Sequence, residues 1–209
     1  MFFLPGEKVR ANAEAIGDKD CPVCQRSQTF IRVEETVWFT LFMIPIAPME
    51  KQASYDQCGS CQYAFAQGDY REPAHLDLLR EVLVYMLCGY GMHQHRDLAQ
   101  SLCRKLTGFD FPDDAVSTLM RQFEGPGVDM PARLESRRAS LNLRCKEDLV
   151  RAAFLVAYAS CELEYEDRLR INLMGTALGF GLETTDAVIA ELRRDGYLGI
   201  RRYLPTQSA

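Results

Sequence analysis

Two Cys-x-x-Cys pairs, Cys21-Pro22-Val23-Cys24 and Cys58-Gly59-Ser60-Cys61, stand 33 residues apart in a chain of 209. They restrict the fold more than any other feature. Each pair can form a tight turn that aims two sulfurs at one point while backbone N–H groups satisfy them. Two such turns at the ends of a β-hairpin close a tetrahedral four-thiolate shell around one zinc ion. A closed shell has no open position for water, so the expected zinc is structural. A unit of roughly 65 residues buries little surface, and a structural metal contributes folding free energy directly in units of that size. A redox dithiol is the other use of Cys-x-x-Cys, and it usually sits at a helix N-terminus that lowers the thiolate pKa. The intervening residues fit that poorly, because 30–38 alternate in part like a strand. Gln25 and Gln62 follow the two turns, where zinc turns often carry Gly.

From Glu72 onward the period changes from two to three and four. Leu76, Leu79, Val82, Met86 and Tyr90 mark an amphipathic helix, with Pro73 placed in its first turn. Further helices are expected at about 95–106, 112–123, 130–141, 146–161, 165–178 and 184–194, broken by Gly108, by Gly125-Pro126-Gly127 and by Gly179 with Gly181. The fold class is therefore α+β in two domains, a β-rich unit at 1–66 and an all-α unit at 72–209. The helical part reads as a duplication. The segment from Leu79 to Met86 aligns with that from Leu149 to Val156, and Leu106-Thr107-Gly108-Phe109 with Ala177-Leu178-Gly179-Phe180, giving halves at about 75–124 and 145–196. Such halves stack two incomplete apolar faces into one core.

Charge excludes as much as it suggests. Residues 1–70 carry a net -3 and 71–209 a net -2, and four thiolates on one zinc add about -2 to the first unit. Neither half attracts a phosphate backbone or anionic lipid over long range, so nucleic acid is not favoured. The opening Met1–Lys8 lacks the basic n-region and cleavage pattern of a secretory signal. The longest apolar run, Trp38 to Met49, is about half of a roughly 20-residue span and holds two prolines. Eight cysteines, half of them in the two pairs, suit a reducing cytoplasm better than a disulfide frame. Cys88, Cys103, Cys145 and Cys161 read as buried thiols.

The first unit resembles a bacterial zinc-ribbon family. The residues that carry the likeness are Phe2-Phe3-Leu4-Pro5-Gly6, the Cys21–Cys24 turn, the run Trp38-Phe39-Thr40-Leu41-Phe42-Met43-Ile44-Pro45-Ile46-Ala47-Pro48, then Lys51, Tyr55 and the Cys58–Cys61 turn. The resemblance covers about 1–65 and implies a structural ribbon joined to other modules. The second unit looks like the TerB family of tellurite-resistance proteins. That likeness rests on Ala157-Tyr158-Ala159-Ser160-Cys161-Glu162-Leu163-Glu164-Tyr165-Glu166-Asp167-Arg168, followed by Leu169, Leu173 and Ala177-Leu178-Gly179-Phe180. It covers about 72–196 and implies an all-helical duplicated fold in a bacterial stress or defence protein that acts through contacts. Family members carry Ala-Asp-Gly before the acidic helix start, whereas Ser160 and Cys161 stand there in this chain.

Three surfaces invite a partner. In so small a ribbon, Trp38, Phe39, Phe42 and Ile44 have little to pack against; they dock within the chain or meet a protein or a membrane surface. Glu162, Glu164, Glu166 and Asp167 form an acidic corner, read either as a solvated helix start or as hard oxygen ligands for calcium. Arg193, Arg194, Arg201 and Arg202 make a basic corner that an acidic partner would fit. No P-loop, His-Glu-x-x-His or Gly-x-Ser-x-Gly pattern is present and there are only three histidines, so no enzyme is expected. The leading expectation is a non-enzymatic adaptor that contacts protein partners, with self-association left open. Calcium sensing and nucleic-acid binding by the ribbon are the alternatives.

Overall fold

The structure is a computed structural model that describes residues 5–42, 44–123, 125 and 127–203. The opening Phe2-Phe3-Leu4 of the ribbon resemblance, Met43 of the apolar run and Pro126 of the Gly-Pro-Gly break lie outside the described residues. The chain divides into two compact units, 1–74 with 139–145, and 75–138 with 146–209. Segment 139–145, which the sequence reading left inside the helical domain, thus groups with the first unit.

The first unit is an antiparallel meander. Its strands are β1 (Pro5–Cys21), β2 (Arg26–Leu41), β3 (Ile44–Cys58) and the short β4 (Ala64–Phe65), in spatial order β1-β2-β3-β4. Sixteen residues of β2 extend about 50 Å. β1 is rich in Ala, Glu and Lys, residues that strands disfavour, and it is extended because its backbone pairs with β2 along almost its whole length. A bulge at Ile16 is absorbed by Gly17 at φ +92°. β3 slips by one residue three times against β2, so that Ile46 and Met49 fall between pairs, and it carries Pro45 and Pro48. These prolines are tolerated because β4 pairs only with Asp56 and Gln57, which leaves the outer edge of β3 without a neighbour among the described strands. Bulges and prolines also discourage that edge from pairing with other chains. The core of the unit gathers at the cysteine end, where Phe30 and Phe65 are fully buried with ring centroids 5.3 Å apart and Tyr70 lies 5.0 Å from Phe30.

Seven α-helices follow in the described chain: α1 (Leu76–Gly89), α2 (Arg96–Thr107), α3 (Asp113–Phe123), α4 (Met130–Arg137), α5 (Leu143–Ser160), α6 (Tyr165–Ala177) and α7 (Leu182–Arg194). α1 and α5 carry the core. Every residue of α5 from Asp148 to Ala157 is buried, as is most of α1, the condition in which a helix is apolar nearly all round. α1 starts three residues after Pro73 rather than around it. α5 starts at Leu143, three residues ahead of the expected place, because Asn142 caps it by accepting from the Cys145 N–H at 3.1 Å. Gly108 and Gly179 are left-handed at the ends of α2 and α6. Cys103 and Cys145 are buried as expected, and Cys88 and Cys161 are half-buried. Inside the helical unit Arg151 is a buried cation, bonded to Asp148 at 2.8 Å, Glu147 at 3.2 Å and Glu191 at 2.5 Å. Beyond α7 four successive residues are left-handed, Gly196, Tyr197, Leu198 and Gly199, a conformation that lays Tyr197 on Tyr158 at 3.9 Å between centroids. Among the described residues no helix is long and apolar enough to cross a membrane.

Candidate metal centre

Cys21 ends β1 and Cys24 closes the turn into β2, while Cys58 ends β3 and Cys61 closes the turn toward β4. The pairing of β2 with both neighbours therefore brings the two turns to one end of the sheet. All four Sγ atoms lie within 4.8 Å of one another, with Cys21 and Cys61 at 3.7 Å and Cys24 and Cys58 at 3.9 Å. A tetrahedron with Zn–S bonds of about 2.3 Å has edges of about 3.8 Å. The donor set fits zinc. All four thiols are free, and Cys21 and Cys58 are buried.

The turns are built alike. The N–H of Gln25 donates to the Cys21 carbonyl at 2.8 Å, and that of Gln62 to the Cys58 carbonyl at 3.0 Å. Both glutamines are left-handed, φ +53° and +63°, which is why glycine is frequent after such turns. The Cys24 N–H reaches the Cys21 sulfur at 3.5 Å. Gly59 approaches the Thr29 carbonyl so closely, with N–H to O at 2.9 Å, that a Cβ there meets the same oxygen at 3.0 Å. Burial pushes the Cys21 and Cys61 thiols up, whereas at Cys24 burial is outweighed by hydrogen bonds from Cys21 and Ser60 and the thiol falls below its ordinary value. Four sulfurs this close cannot all ionise without a cation between them, and a divalent ion supplies it.

Four residues that sequence reasoning missed, Asp56, Arg32, Tyr70 and Asn142, hold the sheet at this end. Asp56, fully buried and two residues before Cys58, accepts from Arg32 at 2.9 and 3.2 Å and from the Tyr70 hydroxyl at 2.7 Å. Burial alone raises its carboxyl, but Arg32 and Tyr70 prevail and hold it below the usual carboxylate range. Asn142 Nδ2 donates to the Gln62 carbonyl at 2.6 Å and to Gln57 Oε1 at 3.2 Å, while its Oδ1 caps α5. An Asn immediately before a helical apolar pattern was the available signal.

Trp38 is half-buried under the Arg10 guanidinium, 5.1 Å from the ring centroid. Phe39, Phe42 and Ile44 are exposed, Phe42 by 52% and Ile44 by 62%, and Ile46 and Met49 extend the apolar surface along β3. They occupy the hairpin tip, where Leu41 pairs with Ile44 and Phe42 is left-handed at φ +50°. The acidic corner does not gather around a point. Glu162 pairs with Arg202 at 3.1 Å, and Glu164 is the N-cap of α6. Asp167 accepts from the Glu164 N–H at 3.0 Å and from the Tyr90 hydroxyl at 2.7 Å, while Glu166 lies exposed beside them. Among the described residues the four cysteines are the one group of three or more ligand-bearing side chains close enough to share an ion, so the geometry offers calcium no support. In the basic corner Arg202 bonds the Tyr158 and Cys161 carbonyls at 3.1 and 2.8 Å, whereas Arg193 is exposed.

A zinc-ribbon family model matches residues 19–112, a stretch that contains all four cysteines and continues through α1 and α2. No curated protein and no solved structure matches the chain.

Proposed function

We propose that the protein is a non-enzymatic adaptor in which a zinc-stapled ribbon presents an apolar hairpin tip to a protein partner. The observation that carries this reading is the placement of Phe39, Phe42 and Ile44 in solvent at the far end of a strand pair whose other end holds the four cysteines. An apolar cluster so placed contributes nothing to its own core, and burial against a partner is the outlet for its hydrophobic free energy. Zinc, held by Cys21, Cys24, Cys58 and Cys61, would fix the two turns from which β2 and β3 project. A four-thiolate ion has no vacant position for substrate, so its part is structural.

The helical unit we read as TerB-like and duplicated. In support, the order α1, α2, α3 recurs as α5, α6, α7, the aligned segments 79–86 and 149–156 both lie in the buried helices, and left-handed Gly108 and Gly179 close α2 and α6. With that resemblance goes a role in a bacterial stress or defence response. Eight free thiols favour a reducing cytoplasm as its setting.

Photo-crosslinking in cells, with a benzophenone side chain at Phe42 or Ile44, tests the adaptor reading. Discrete protein adducts that disappear when Trp38 and Phe39 are changed to Asp are expected. Adducts to lipid or nucleic acid, or none at either position, would overturn it.

A further inference from the structure

α6 is apolar on two sides. Ile171 and Met174 are buried, while Tyr165, Leu169 and Leu173, spaced four residues apart, are 78%, 46% and 51% exposed. Leu182 of α7, 62% exposed, continues this strip across a groove of about 740 Å³ between the two helices. Arg168 and Arg193 line the same groove and are exposed, and neither guanidinium forms an ion pair or hydrogen bond among the described residues. Asp186 is the one carboxylate among the groove residues.

We propose that this groove binds an amphipathic helix of a partner protein that carries carboxylates beside its apolar stripe. The dimensions suit it: Tyr165 to Leu173 spans about 12 Å along α6, the reach of anchors at i, i+4 and i+7 on a docked helix. Charge selects the acidic class, because two unpaired guanidiniums flank an apolar floor and fork toward carboxylates. A second copy of the chain fits less well. Two-fold pairing of this face sets four arginines against two copies of Asp186, in a molecule of net charge -5. The inference rests on the adaptor reading only in taking a protein as the occupant, and it uses a face of the helical unit rather than the ribbon's tip.

Two fluorescein-labelled 18-residue helical peptides serve as probes. They share one Leu stripe, and the flanking positions are Glu in one and Lys in the other. Titrated with the full-length zinc-loaded protein and read by anisotropy, the Glu probe is expected to bind about tenfold or more tightly than the Lys probe. The exposed-site double variant Leu169→Glu with Leu173→Glu loses the binding, and Arg168→Glu with Arg193→Glu inverts the preference. Both variants should melt like the parent. Absence of binding, equal binding of the two probes, or indifference to these substitutions overturns the proposal. So does a parent dimer in sedimentation that Leu169→Glu dissociates, since a second copy would then cover the groove. Phe42→Asp with Ile44→Asp leaves probe binding unchanged. If the groove fails while Phe42 still crosslinks to protein, the adaptor reading survives without it, and the reverse pattern sinks the tip alone.

Discussion

At the scale of single residues, backbone conformation at the metal centre is under tension that the sequence did not relieve. Gln25 and Gln62 occupy left-handed φ without being glycine, at a cost of about 1–2 kcal/mol each that is partly offset by glycine's larger freedom in the unfolded chain. Gln25→Gly and Gln62→Gly are therefore expected to stabilise the zinc-loaded protein by about 0.5–1 kcal/mol apiece, read as a higher melting temperature, whereas Gln25→Val should lower it. Asn142 joins two functions in one amide, capping α5 through Oδ1 and holding the Gln62 carbonyl through Nδ2. Asn142→Ala should cost about 2–3 kcal/mol in chemical denaturation, from a lost cap and an unsatisfied carbonyl. Asn142→Asp keeps the cap acceptor but sets a buried carboxylate oxygen against the Gln62 carbonyl, and a loss at least as large is expected.

Between elements, close approach decides stability. Gly175 of α6 faces the Thr185 hydroxyl of α7, and a Cβ built there collides with it. Helix propensity favours Gly175→Ala by about 1 kcal/mol, but overpacking costs about 1–3 kcal/mol, so the variant is expected to melt lower than the parent. The junction of α5 and α6 gives a pH dependence. Burial first, then the neighbouring Asp167, pushes the Cys161 thiol up to about 11 from its ordinary 9.0. The folded state favours the neutral thiol, so this contribution is complete below pH 9 and is lost as pH rises toward 11. Tyr90 is raised in the same sense by burial and by Asp167. Asp167 itself is shifted the other way: burial raises it, but the Glu164 N–H, Tyr90 and Cys161 hold it below the usual range, so its share of stability is present near neutrality and lost in acid. Denaturation series from pH 8 to 11 should show the alkaline decline, and Cys161→Ala should flatten it.

Across the molecule the two units stand on different energetics. The helical unit has its own buried core in α1 and α5, whereas the ribbon's large fully buried side chains, Phe30 and Phe65, lie at the cysteine end. Chelation of zinc is therefore expected to abolish the strand band in the infrared while most helical ellipticity persists, and equal loss of both would show that the units do not fold separately. The sequence alone determined the four clustered cysteines, the change from strand to helix near residue 72 and most helix positions, because Cys-x-x-Cys spacing and a 3.6-residue apolar period are local properties of the chain. Tertiary structure alone decided the rest. β1 is a strand despite its Ala and Glu because β2 offers its backbone a full set of partners, and Asp56 matters because register sets it beside Arg32. Asn142 meets Gln62 at a sequence separation of 80. The acids from Glu162 to Asp167 were legible as a cluster, but their directions were not: capping and pairing with Tyr90 and Arg202 turn them apart. The groove was half visible, since Tyr165, Leu169 and Leu173 recur at helical spacing, and only the packing of Ile171 and Met174 inward left that stripe outside. Side-chain direction and long-range register arise from closing the chain on itself, and no local pattern encodes them.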